Sequence, residues 1–238
     1  MILAARGVSV RRANHVALRA FALELSAGEI VAVLGPSGAG KSTLLDALSG
    51  MIPHAGTVVL DGRDVSAEPA WKRARGGLGY VPQGPSVLGD LSVGENLGTF
   101  AKLAARGGSP SAVATEVGLD GKLDVLARDL SGGERRRLEL ARALVAAPRV
   151  LLCDEPFAGL APRDLFAIAS VLRARAAAGL AVVVSDHHVE EALALARRAL
   201  LLVDGAIVAE TPASAFLAHP DVIARYAGRG GSTVVSPA

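Results

Sequence analysis

Nine consecutive residues constrain this chain more than any other stretch: Gly35-Pro36-Ser37-Gly38-Ala39-Gly40-Lys41-Ser42-Thr43. They follow a strand-length apolar run, Ile30 to Leu34, and open a helical pattern from Lys41 to Ser49. The glycines let backbone N–H groups turn inward around phosphates, and the helix N-terminus adds its partial positive charge. In such a cradle Lys41 reaches the β- and γ-phosphates, the Ser42 hydroxyl ligates Mg²⁺, and Thr43 contacts the α-phosphate side. A strand feeding a helix through a tight loop belongs to an α/β fold with a parallel sheet.

The rest of the chain repeats that alternation. Strand-like runs lie at Thr57 to Leu60, Leu78 to Val81, Val150 to Cys153, Ala181 to Ser185, Ala199 to Val203 and Ala206 to Ala209. Helices are expected at Pro162 to Ala178 and His188 to Ala196, with the sheet largely parallel. Gly7 to Val10 and Phe21 to Leu25, around a turn-like Asn14, can form an antiparallel edge. Between Leu91 and Leu130 the strand signal vanishes and Gly107, Gly108 and Pro110 punctuate the chain, which predicts a small inserted helical subdomain. The tail from Gly228 to Ala238 is rich in Gly, Ser and Pro and is expected to be disordered.

Composition narrows the setting. Aromatics are 3%, so the core must be built from Ala, Val and Leu. A net charge of +2 is too balanced for nucleic-acid binding by bulk electrostatics. A single cysteine, Cys153, excludes an intrachain disulfide and suits a reducing compartment. Arg6, Arg11 and Arg12 follow the apolar residues Ile2 to Ala5, the reverse of a secretion signal. No apolar stretch of about 18 residues offers a membrane span.

Partners for the phosphate cradle lie further along. Val150-Leu151-Leu152-Cys153-Asp154-Glu155 is a buried-strand pattern ending in two acids, which a parallel sheet delivers to its ligand edge. Asp154 suits a metal-holding role and Glu155 the polarising of an attacking water. Leu130-Ser131-Gly132-Gly133-Glu134 then opens the helical run Arg135 to Val145, a second phosphate nest at a helix N-terminus.

The order of cradle, glutamine, LSGGE, acidic strand and histidine resembles that of the ABC ATPases, and the resemblance covers roughly residues 1 to 227. It implies a P-loop NTPase core with an antiparallel β edge, the inserted helices at about 91–130, and Mg-ATP as ligand. By this resemblance Gln83 touches Mg²⁺ or the attacking water, and His187 contacts the γ-phosphate, with His188 as the alternative. Ser131, Gly132, Gly133 and Glu134 close over ATP held by another chain, so a head-to-tail homodimer is implied. An integral-membrane permease is expected to dock near Gln83 to Asn96, placing the chain in the cytoplasm on the inner face of the membrane. Nucleic acid is not expected. The alternative is a regulatory or non-transport ABC ATPase acting on a soluble partner.

Two positions depart from the family pattern. Arg12 stands where an aromatic residue usually stacks on adenine, and a guanidinium plane can take that role. Ala158-Gly159-Leu160-Ala161-Pro162 offers no aspartate after the acidic pair. The runs Leu130 to Leu144 and Asp154 to Gly159 look like the lipopolysaccharide-export ATPases, while Gly159 to Pro162 looks more like the branched-chain amino-acid importers.

Overall fold

The computed structural model describes residues 1–12 and 15–225. The expected turn around Asn14 and the expected tail from Gly228 lie outside them, as does Tyr226 at the end of the expected ATPase unit. The strands are β1 (Leu3–Arg12), β2 (His15–Leu25), β3 (Ile30–Leu34), β4 (Ala55–Leu60), β5 (Arg63–Asp64), β6 (Leu78–Val81), β7 (Val150–Asp154), β8 (Ala181–Ser185), β9 (Arg198–Val203) and β10 (Ala206–Pro212). The helices are α1 (Lys41–Ser49), α2 (Ala70–Arg75), α3 (Val93–Leu103), α4 (Pro110–Glu116), α5 (Gly132–Val145), α6 (Pro162–Ala177), α7 (Val189–Leu195) and α8 (Pro220–Arg225).

A six-stranded sheet runs in the order β10-β9-β3-β8-β7-β6. All its pairs are parallel except the β9–β10 hairpin. That hairpin turns on Asp204-Gly205, both at positive φ (49° and 78°), the backbone that matches strand twist. Strands β3, β7 and β8 are buried at every residue, because helices or a second sheet cover both faces. Strands β1 and β2, expected as an antiparallel edge, do not join this sheet. They form a separate four-stranded sheet, β2-β1-β4-β5, and recruit β4 into it.

That second sheet and α1 pack on one face, joining Phe21, Leu44 and Leu48 to Val31, Val33 and Leu152. Helices α3 to α6 pack on the other, joining Leu97, Leu138 and Leu172 to Leu151 and Val182. The interval 91–130 holds α3, α4 and single 3-10 turns at Asp120–Lys122 and Ala127–Asp129. Helix α7 is one residue shorter at each end than the apolar pattern predicts: His188 is its N-cap, its N–H bonded to the Asp186 carboxylate, and Ala196 already has extended backbone. Arg73 of α2 is 1% exposed and donates to Ala47 O and Leu48 O, satisfying the carbonyl end of α1. The helix that starts at the cradle is thereby fixed at its far end.

Candidate nucleotide site

The carboxyl ends of β3, β6, β7 and β8 lead into Gly35, Gln83, Glu155 and His187, and all four line one cleft of about 1040 Å³. Parallel strands bring ligand-binding loops together at this edge. Pro36, Ser37, Gly38, Gly40, Lys41, Ser42 and Thr43 complete its floor. Ala39 turns away into the core and is 3% exposed. Gly35 is required by close approach, since a Cβ there would meet the Leu202 carbonyl oxygen at 2.1 Å. The Lys41 ammonium donates to Gly35 O at 2.8 Å and Pro36 O at 3.1 Å. Burial lowers its pKa, while the nearby Glu155, Asp154 and Asp186 carboxylates act the other way.

Asp154 lies beneath the cleft, 1% exposed, its carboxylate accepting a hydrogen bond from the Ser185 hydroxyl. Burial raises its pKa, opposed by hydrogen bonds from Ser185 and Ser42. A buried acid beside a cradle serine is a hard-oxygen donor set of the kind Mg²⁺ takes next to phosphate. The glycine-lined floor, Lys41 and this pair therefore fit Mg-ATP.

Glu155 has φ of 49°, a left-handed conformation costly for a residue with a Cβ. Its backbone is pinned on both sides: its N–H donates to Ser185 O at 2.7 Å, and its carbonyl accepts from Arg136 at 3.0 Å. Its carboxylate lies 3.4 Å from His187 Nδ1. His187 lines the cleft and His188 does not. The His188 ring sits 2.8 Å from the buried Asp186, which also accepts the Phe157 N–H at 2.9 Å.

Arg12 lines the cleft mouth, 3.9 Å from Asp46, and His15 stands opposite it in the β1–β2 register and also lines the cleft. Asp46 is held in turn by the Tyr80 hydroxyl at 2.9 Å.

None of Ser131, Gly132, Gly133 or Glu134 lines this cleft. Ser131 caps α5 in a reciprocal box with Glu134, and Lys122 holds Glu134 at 2.6 Å. The Lys122 bond and the capped N–H lower the Glu134 pKa to about 2. Its carboxylate is thus occupied within its own chain, and the Ser131 oxygen accepts the Glu134 N–H at 3.3 Å, which leaves the Ser131 O–H and the glycine backbone to meet an outside group. A Cβ at Gly133 would meet Asp164 Oδ2 at 2.2 Å. Asp164, in the first turn of α6, pairs with Arg137 of α5 at 3.3 Å, so the segment after Ala161 packs directly against the nest.

Sequence reasoning missed a charged stripe on α5. Arg136 donates to Pro82 O, Asp154 O, Glu155 O and Pro156 O, and to Glu139 at 2.6 Å. Glu139 accepts the Ser86 N–H at 2.8 Å, and Arg142 donates to Ser86 O and covers the Phe100 ring. The i, i+3, i+6 spacing of Arg136, Glu139 and Arg142 with alternating sign marks three charges on neighbouring turns, but the same pattern suits a solvated face, so their burial left no sign in the sequence. The expected permease-docking stretch needs one correction. Asn96 is 0% exposed and its side chain bonds the Leu88, Leu91 and Ser92 backbone, so it clamps the loop from inside and offers nothing outward. Leu88 is exposed.

The sequence pattern of the ABC transporter family matches residues 18–158. The chain belongs to that family. It is 38% identical over 223 residues to the lipopolysaccharide export system ATP-binding protein of Acidithiobacillus ferridurans, covering 90% of this chain and 92% of that one. The protein of the same description from Escherichia coli is 37% identical, over 87% and 88% of the two chains. Among solved structures, a nucleotide-free ATP-binding cassette from an ABC transporter superposes with a TM-score of 0.85 at 24% identity, covering 94% of this chain and 98% of that one. A dimeric post-hydrolysis cassette bound to ADP and Pi gives 0.79 at 25% identity, over 89% and 99%. The chain is therefore an ABC ATPase subunit, an ATP-binding motor of transport. No helix among the described residues is long and apolar enough to cross a membrane.

Proposed function

We propose that residues 1–227 form one ATPase unit, with its helical insertion at about 91–130, that works as a head-to-tail homodimer on a membrane permease. The observation that carries this is the separation of the two phosphate-binding features. Gly35 to Gly38 and Gly40 to Thr43 face the chain's own cleft, while Ser131 to Gly133 lie outside it and open outward. Two copies facing each other would pair each cradle with the other's nest, a self-complementary arrangement.

In this reading Gly35 to Lys41 and Thr43 bind the phosphates, and Arg12, with His15 across the hairpin, meets the base. Ser42, Asp154 and Gln83 would hold Mg²⁺, which supplies positive charge to the γ-phosphate oxygens. Glu155 orients a water toward the γ-phosphorus, the bond from that phosphorus to the β–γ bridging oxygen breaks, and ADP and phosphate leave. His187 hydrogen-bonds the γ-phosphate and is itself positioned by Glu155. Loss of the γ-phosphate removes the group that both chains share, so the dimer opens and the permease turns the motion into alternating access. Val87, Leu88 and Asp90 form the docking edge beside Gln83, on the inner face of the membrane. The relatives named for lipopolysaccharide export make an envelope lipid the first cargo class to test.

The test uses tagged Glu155→Gln, purified from native membranes with Mg-ATP and analysed for size and composition. Hydrolysis should fall by about 10²- to 10⁴-fold. A stable complex of two such chains with a multi-span protein supports the reading. A monomer bound to a soluble partner, under conditions where ATP binding is measurable, rejects it.

A further inference from the structure

A second concave site lies at the opposite end of the strands from the nucleotide cleft. The amino ends of β6 and β7, the last turn of α2, the β4–β5 turn and the segment after α3 enclose a cavity of about 510 Å³. That volume falls within the range typical of small-molecule sites. Its walls carry five cationic side chains, Arg63, Lys72, Arg75, Arg106 and Arg149, against the carboxylates of Asp61 and Glu68.

Both carboxylates are already taken. Arg149 bonds Asp61, and Arg63 bonds Glu68 at 3.1 Å. Among the described residues Lys72, Arg75 and Arg106 have no ion-pair partner. The uncompensated positive charge of this one cavity thus exceeds the +2 net charge of the whole chain. Like charges gathered around a concavity repel one another, and a multivalent anion between them relieves that repulsion while accepting charge-assisted hydrogen bonds. Arginine forks suit tetrahedral phosphate oxygens in particular.

We propose that this cavity is a second phosphate-recognising site, for a compact, multiply charged phosphate-bearing anion, separate from the nucleotide cleft. The chemistry is shared by a soluble polyphosphate and a phosphorylated lipid headgroup. Occupancy can be read locally, because Trp71 is the single tryptophan and the Lys72 ammonium lies 5.5 Å from its ring centroid. An anion that draws Lys72 into the cavity changes that contact.

The experiment titrates Lys41→Ala protein, whose nucleotide cradle is weakened, with inorganic pyrophosphate while following Trp71 emission. A parallel titration uses vesicles of phosphatidylcholine with or without phosphatidic acid. The site is supported by a saturable change that weakens about tenfold or more in Arg75→Ala/Arg106→Ala, is largely kept in Arg75→Lys/Arg106→Lys, and fades with added salt. Response to pyrophosphate identifies a soluble ligand; response only to phosphatidic acid vesicles identifies a headgroup. The proposal is overturned if neither probe gives a saturable change. It is also overturned if the double alanine variant binds as the parent does, or if it loses only thermal stability, which would give these residues a structural role and nothing more.

Discussion

Arg136→Met should unfold the protein more readily than any other single change on α5. The Arg136 and Glu139 side chains are 10% and 5% exposed and 2.6 Å apart. Removing one member of a buried pair typically costs about 3–5 kcal/mol, because the other charge stays buried without its partner. Here Glu139 keeps the Ser86 N–H at 2.8 Å, which places the cost near the lower end, about 3 kcal/mol. For a chain of this size that corresponds to a fall in Tm of about 6–12 °C. Glu139→Gln should cost less, about 1–2 kcal/mol, since Arg136 retains the carbonyls of Pro82, Asp154 and Glu155. The double variant should then be more stable than the two losses summed, because no charge is left unpaired. Urea unfolding of the four proteins gives all three quantities. A loss under about 1 kcal/mol for Arg136→Met, or additivity of the two changes, would refute the assignment of a coupled buried pair. The same variant should lower kcat more than it raises KM, because Arg136 holds the Glu155 carbonyl and not the nucleotide.

Three other outcomes are expected. Gly35→Ala should be poorly folded, losing more than about 3 kcal/mol by thermal melt, because its Cβ would fall 2.1 Å from a backbone oxygen that cannot rotate away; a Tm within a degree or two of the parent would contradict that geometry. The Glu134 pKa is lowered from 4.5 to about 2, so its bond to Lys122 stabilises the fold fully above about pH 5 and is lost as pH falls toward 2. Glu134→Gln should flatten this part of the acid-unfolding profile, and an unchanged profile counts against the capping pair. Arg12→Ala should weaken ATP more than inorganic triphosphate in equilibrium binding, whereas equal weakening of both would place Arg12 on the phosphates.

The nucleotide-bearing half of the fold was legible because its signals are local. Ile30–Leu34 is bounded as its apolar run predicts, since a strand buried on both faces needs apolar residues throughout and ends where they end. Leu78–Val81 also keeps its expected bounds, although as the edge strand it leaves Gly79 and Tyr80 half-buried. The antiparallel sheet was only partly legible. Gly7 to Val10 marks the middle of β1, but its pairing with β4 is set by packing over α1, which no short window records. Cradle, acidic strand and nest were each readable from spacing. Arg136 and Asp186 were not, because their roles consist of backbone groups brought from other segments: Pro82, Asp154 and Glu155 for one, Phe157 and His188 for the other. Side-chain bonds to distant carbonyls leave no pattern in the chain.

Helix α5 joins these two kinds of information. Its N-terminus presents Ser131 and the glycines away from the chain's own cleft, and Arg136 lies about 7.5 Å further along the axis at 1.5 Å per residue. A helix is stiff over that distance, so its cap cannot move without carrying Arg136. Arg136 is bonded at once to the loop before Gln83 and to the backbone of Glu155. Within the next two turns, Glu139 and Arg142 hold Ser86 beyond Gln83 by its N–H and its carbonyl respectively. The surface that faces outward and the cleft residues Gln83 and Glu155 are therefore parts of one mechanical unit. Apolar contacts alone would let α5 slide over the sheet, since they are non-directional. Hydrogen bonds from a buried guanidinium fix both distance and direction, which explains why charged side chains occupy a stripe that packing alone would fill with leucine.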